Sequence, residues 1–236
     1  AAADDVLRRM ASQIPITLYQ SQIATAPNAS LSYLPGEAHI IFSGSVLSTL
    51  SPAEVAWVLA HELSHHAFLQ GWGGEYHIAE QILHAMALHP AAEPSQVQSC
   101  RFFLLYSEVH ADRGAHEVFP DPLLGIGALV RLGTGLREAD PAAYLAQAEE
   151  ILAKGNALAA GMSHPEHFIR ALALDRWGRD PAAAEAEVRS LIEGKLSLDD
   201  LDLVAQRRMT TLTRRVIRRF TTTTGTPSDP ILGHAR

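Results

Sequence analysis

Ser51-Pro52-Ala53-Glu54-Val55-Ala56-Trp57-Val58-Leu59-Ala60-His61-Glu62-Leu63-Ser64-His65-His66 is the stretch around which the rest of the chain has to be arranged. It opens as a capping box, with Ser51 as N-cap, Pro52 at the first helical position and Glu54 reaching back. The residues that follow are apolar nearly all round the helix, which places it in an interior. His61, Glu62 and His65 are then polar groups in a buried helix, costly there unless something pairs with them. Residues i and i+4 lie one above the other, so both imidazoles reach a single metal ion. Glu62 is turned by about 100° from His61, beside the metal, where a base for an attacking water belongs. Composition alone gives about 4% for one accidental His-Glu-x-x-His, so the metal reading is preferred. Gly71, Gly73 and Gly74 end the helix.

The chain has 236 residues and a formal charge of −7, enough for one substantial core and no basis for nucleic acid as a global partner. No apolar run approaches the roughly 18 residues of a membrane span. One cysteine, Cys100, excludes an internal disulfide and a cysteine-rich zinc site; beside Phe102-Phe103-Leu104-Leu105 it reads as a buried, inert thiol. The start, Ala1-Ala2-Ala3-Asp4-Asp5, reads as processed or trimmed. A soluble chain is expected, with a cytoplasmic placement preferred to a periplasmic or exported one.

Before the motif, residues 4–13 form an amphipathic helix with Val6, Leu7 and Met10 on one face. Ile14–Tyr19, Ser30–Leu34 and His39–Ser43 read as strands of a small antiparallel sheet, with turns at Ala26–Ala29 and Pro35-Gly36. After it come helices over about 75–89, 95–117, 123–132, 140–158, 165–177, 180–194 and 197–220, several opened by Asp-Pro. The class is α+β, mainly α. His77, His84 and His89 are spaced too widely to gather at one point and read as ordinary surface or core histidines.

Two histidines and a carboxylate suit zinc and leave a position for water. A metzincin would supply a third histidine soon after His65, but Phe68 and Gly71 stand there. Glu108, in Ser107-Glu108-Val109-His110-Ala111-Asp112-Arg113, is the preferred third ligand, with His110 and Glu117 as weaker substitutes. Asp112, one turn on, is placed to accept a hydrogen bond from a ligand histidine.

The ordered set of Asn28-Ala29, the strand near Ile40, Val58–His65, Glu108–Asp112 and Ser163-His164-Pro165…Arg170 resembles the Ste24/HtpX-like (M48) gluzincin metallopeptidases. Glu166 and Phe168-Ile169 stand where that family often has a second proline and an acidic residue. The resemblance covers roughly residues 15–175. It implies a zincin-like catalytic domain over 1–135, a helical subdomain over 136–220 that completes or flanks the site, and a flexible tail over 221–236. It further implies a zinc endopeptidase with one Zn²⁺ per chain held by His61, His65 and Glu108, Glu62 as general base, and a protein or peptide substrate. His164 is a catalytic candidate, or a residue that occupies the metal's open position, with a capped helix start as the equal alternative. His167 and Arg170 are oxyanion or regulatory candidates. The substrate is expected to pair with an exposed edge strand at Ile40, Ile41 and Phe42, and Asn28 to meet its backbone or serve as a turn residue. The competing function is a latent or inactive zinc-containing binding or chaperone-like module.

The last helix carries Arg207, Arg208, Arg214, Arg215, Arg218 and Arg219 with no acidic residue between them. Its stripe of Leu201, Ala205, Met209, Leu212, Val216 and Phe220 is expected to pack on a core, the basic face being solvated. Contact with an acidic partner, anionic lipid or RNA is the alternative.

Overall fold

Pro35-Gly36 sets the sheet. Gly36 takes φ +84°, a left-handed value that glycine adopts without a Cβ penalty. The chain turns there, so that β2 (Asn28–Leu34) runs antiparallel to β3 (Glu37–Ser43), Leu34 opposite Glu37. β1 (Ile16–Gln20) lies on the other side of β3 and runs parallel to it, Ile16 opposite Ala38. The order is β1-β3-β2. The expected all-antiparallel sheet is therefore corrected to a mixed one. The chain makes β2 before it makes β3, and the hairpin returns β3 alongside β1 in β1's own direction.

A second correction follows from that order. β3 is the central strand, with both backbone edges paired, so Ile40, Ile41 and Phe42 do not form an exposed edge. Ala38, Ile40 and Phe42 alternate into the core, and Ile41 is half-buried. The outer edges belong to β1 and β2.

The computed structural model describes residues 2–22, 26–154, 167–194 and 201–223, the side chains of 220–223 apart. Its helices are α1 (Ala2–Arg9), α2 (Val46–Thr49), α3 (Pro52–Ala87), α4 (Pro94–Val118), α5 (Pro122–Thr134), α6 (Pro141–Ala153), α7 (His167–Arg179), α8 (Pro181–Glu193) and α9 (Leu203–Thr223). No helix among the described residues is long and apolar enough to cross a membrane. The capping box forms: Glu54 Oε2 accepts the Ser51 amide at 2.8 Å, and Ser51 Oγ accepts the Glu54 amide at 3.3 Å. α3 leaves helical geometry at Gly71–Gly74, as the glycines predict, and a second helical run continues to Ala87. Asp121, Asp140 and Asp180 cap α5, α6 and α8, each before a proline; such a cap contributes about 1 kcal/mol.

The chain divides into two compact units, Ala1–Gln81 with Phe102–Lys195, and Ile82–Arg101 with Leu196–Arg236. The expected boundary between 135 and 136 is not where it parts. One hydrophobic core runs from Ile40 of the sheet through Trp57 and Leu59 of α3 and Ile126 of α5 to Leu172 of α7 and Ile192 of α8. The apolar faces of α5 to α8 contribute to that core, in the same unit as the sheet. Residues 221–223 continue α9, and the rest of the expected tail lies outside the described residues. In the second unit Cys100 is buried. The stripe of α9 departs from expectation: Leu212 and Val216 are 52% and 53% exposed.

Candidate metal centre

α3 and α4 are brought together by small residues. A Cβ on Gly114 would lie 2.3 Å from Ser64 Oγ and 2.8 Å from Ser64 Cβ, so the glycine permits an approach that no larger residue would. Ser64 turns its hydroxyl inward to the Ala60 carbonyl at 2.7 Å. The crossing sets the 108/112 face of α4 against the 61/65 face of α3.

Three donors converge there. His61 Nε2 is 3.2 Å from His65 Nε2 and 3.7 Å from Glu108 Oε2, and His65 Nε2 is 3.4 Å from Glu108 Oε1. A tetrahedral ion with bonds of about 2.0–2.2 Å holds its donors about 3.3–3.6 Å apart. The side chains therefore stand at coordination spacing, and His61, His65 and Glu108 can hold one metal ion. His61 is buried, and the other two are nearly so.

Each ligand is oriented from behind. His61 Nδ1 lies 3.0 Å from Asp112 Oδ1, a close but bent contact, and the Trp57 ring stacks on its face at 5.8 Å between centroids. Gly125 of α5 makes room for that indole, since a Cβ there would come within 2.9 Å of it. His65 Nδ1 is 3.2 Å from Ser107 Oγ, which leaves its Nε2 aimed at the shared point. Glu108 Oε2 lies 3.1 Å from Arg170 Nη1.

Arg170 reaches in from α7 and is the centre of the electrostatics. Its Nε and Nη2 each donate to an Asp112 carboxylate oxygen at 2.6 Å. Burial opposes the charge of Asp112, but Arg170 and then His61 outweigh it and hold the carboxyl below its usual range. Burial likewise opposes the charge of Arg170, and Asp112, Glu108 and Glu62 keep it firmly protonated. Burial also opposes protonation of His65; Glu108 and then Glu62 prevail and raise its pKa, with Arg170 acting against them. α7 is itself fixed by Ile169, Leu172 and Leu174 in the core and by Arg176, which pairs with Glu149 of α6 at 2.6 Å and Glu187 of α8 at 3.2 Å.

Glu62 is 6% exposed. No hydrogen bond or ion pair among the described residues occupies its carboxylate, and its charge acts on His65 and Arg170 through space.

The expected site residues are thus partly gathered. His61, Glu62, His65, Glu108, Asp112 and Arg170 come together. Arg170, expected as an oxyanion or regulatory candidate, is paired with the carboxylates of Asp112 and Glu108. His167 lies across Gly133 of α5, whose Cβ would meet the imidazole at 2.3 Å. His164 lies outside the described residues. Asn28 is exposed at the start of β2. The substitute ligands are elsewhere engaged: His110 packs against Phe68 at 5.1 Å, and Glu117 pairs with Arg113 at 3.3 Å. His66, adjacent to the motif, is structural. Its Nε2 donates to the Leu34 carbonyl at 3.0 Å and its ring meets Tyr33, tying α3 to β2.

Sequence reasoning gave no role to Ser107, Trp57 or Gly114. Gly114 alone left a signal, a glycine inside a helical pattern, which marks close packing.

No protein-family model matches this chain, and neither a curated protein nor a solved structure does. Any function has to be argued from its own residues.

Proposed function

We propose that the chain is a zinc-dependent endopeptidase of the gluzincin type, with one zinc per chain and protein or peptide substrates. The observation that carries the reading is the 3.2–3.7 Å spacing of the His61, His65 and Glu108 donors, with the Glu62 carboxylate, unpaired among the described residues, on the helical position after His61. Two imidazoles and one carboxylate suit zinc and leave one tetrahedral position open. Bound there, the ion would polarise a water and the scissile carbonyl and bring the water's pKa towards about 7.

The chain's own residues do the rest. Glu62 accepts the proton of the attacking water and passes it to the leaving amine nitrogen as the C–N bond breaks. Asp112 and Ser107 keep both imidazoles turned with Nε2 inward. Arg170 Nη1, 3.1 Å from Glu108 Oε2, holds that carboxylate in place. An extended substrate has two sheet edges to pair with, and β2 is the one tied to the metal-binding helix through His66 and Tyr33. β2 also begins with Asn28.

The test compares wild type with Glu62→Gln after zinc loading. Both should retain stoichiometric zinc, and only the wild type should cleave an unfolded protein, with a loss of about 10²–10⁴-fold or more in the variant. Cleavage that survives the substitution refutes the assignment. A zinc-loaded wild type that binds unfolded protein and never cuts it would make the chain a binding module instead.

A further inference from the structure

We infer that α9 is a docking surface for an anionic lipid bilayer. The helix carries Arg207, Arg208, Arg214, Arg215, Arg218 and Arg219 and no acidic side chain, in a chain whose formal charge is −7. At about 100° per residue the six arginines fall within an arc of roughly 140°, which positions 204, 211 and 222 share. Ala205, Met209, Leu212 and Val216 occupy the adjoining arc of about 60°.

Part of each arc stands in solvent. Leu212 and Val216 are more than half exposed. Arg207, Arg208, Arg214 and Arg215 are exposed and make no ion pair among the described residues. Like charges crowded on one helix repel, and an anionic surface relieves that repulsion.

The apolar strip decides which surface. A nucleic acid or an acidic peptide would use the arginines and leave Leu212 and Val216 in water. A bilayer uses both, headgroups taking the guanidinium groups and the acyl boundary the apolar strip. Arginine stems are long enough to lie along that boundary while their heads stay in the headgroup layer. The helix is too polar to cross the bilayer, so it lies in the plane of the surface.

The full-length protein is tested by flotation with vesicles of pure phosphatidylcholine and with vesicles containing about 30% phosphatidylglycerol, at about 50 mM and about 500 mM salt. Binding is expected only to the anionic vesicles and only at the lower salt. Each arginine is worth about five-fold, so replacing Arg207, Arg208, Arg214 and Arg215 together by Gln should weaken binding by several hundred-fold. Leu212→Gln with Val216→Gln should weaken it about ten-fold or more, leaving its salt dependence in place. All these positions are exposed, and an unchanged thermal melt verifies folding. Glu62→Gln and removal of metal should leave vesicle binding as in wild type, which separates this surface from the peptidase reading. Failure to bind anionic vesicles at low salt overturns the inference. So does binding that ignores the loss of Leu212 and Val216, or a homopolymeric RNA or polyglutamate that outcompetes the vesicles.

Discussion

Replacing Arg170 by Met tests whether the site is held together by one buried cation. The methionine keeps much of the volume and removes the charge. Asp112, which is 0% exposed, loses both of its 2.6 Å hydrogen bonds, and Glu108 loses a 3.1 Å contact. Two unit charges about 4 Å apart attract by about 4 kcal/mol at an effective dielectric constant near 20. Removing one member of a buried pair commonly costs about 3–5 kcal/mol, because the other is left uncompensated. The two figures agree. Urea unfolding of metal-free protein at neutral pH should therefore lose about 3–5 kcal/mol, and the melting temperature about 6–20 °C. Asp112→Asn should cost less, since Arg170 keeps Glu108 as a partner. The double variant should fall well short of the sum of the two losses.

Acid supplies a second readout of the same contact. The folded pKa of Asp112 lies below the ordinary 3.8, with Arg170 as the stabilising cause. Its contribution is thus fully present above that pH and is lost as pH falls through the folded value. The gap between wild type and Arg170→Met should narrow in strong acid. An Arg170→Met loss under about 1 kcal/mol, or strict additivity in the double variant, would refute the idea of a clamp.

Ser107→Ala removes the partner of His65 Nδ1 and should weaken metal affinity by about 10-fold or more with little change in fold, measured by competition with a chromogenic chelator. Gly114→Ala pushes a methyl into Ser64 and should cost about 1–3 kcal/mol, read by urea unfolding. Adding Ser64→Gly should recover most of that loss, and no recovery would show that the two helices do not meet there.

Much of the local structure was legible in the residues alone. The capping box of Ser51 and Glu54, the glycine break at 71–74 and the aspartate caps at Asp140 and Asp180 depend on contacts within a few residues. So does the i, i+4 pairing of His61 and His65, which makes the motif readable as a half-built ligand set. Glu108 and Asp112 were readable at one remove, because their own spacing places them on one helical face.

What lies between elements had to wait for the tertiary structure. Strand order cannot be read from strand composition, because β3 alternates Ala38, Ile40 and Phe42 into the core whether its neighbours are parallel or antiparallel. The structure placed it in the centre and left the outer edges to β1 and β2. The partners of Arg170 could not be read from its position in the chain: only the placement of α7 beside α4 turned its guanidinium to Asp112 and Glu108. The stripe of α9 had the periodicity of a buried face, yet Leu212 and Val216 stand in solvent. Sequence determined what each helix and strand would offer, through local geometry and the spacing of its side chains. The fold alone decided which of those offers met, because contacts between residues some 40 to 110 positions apart depend on how whole elements pack.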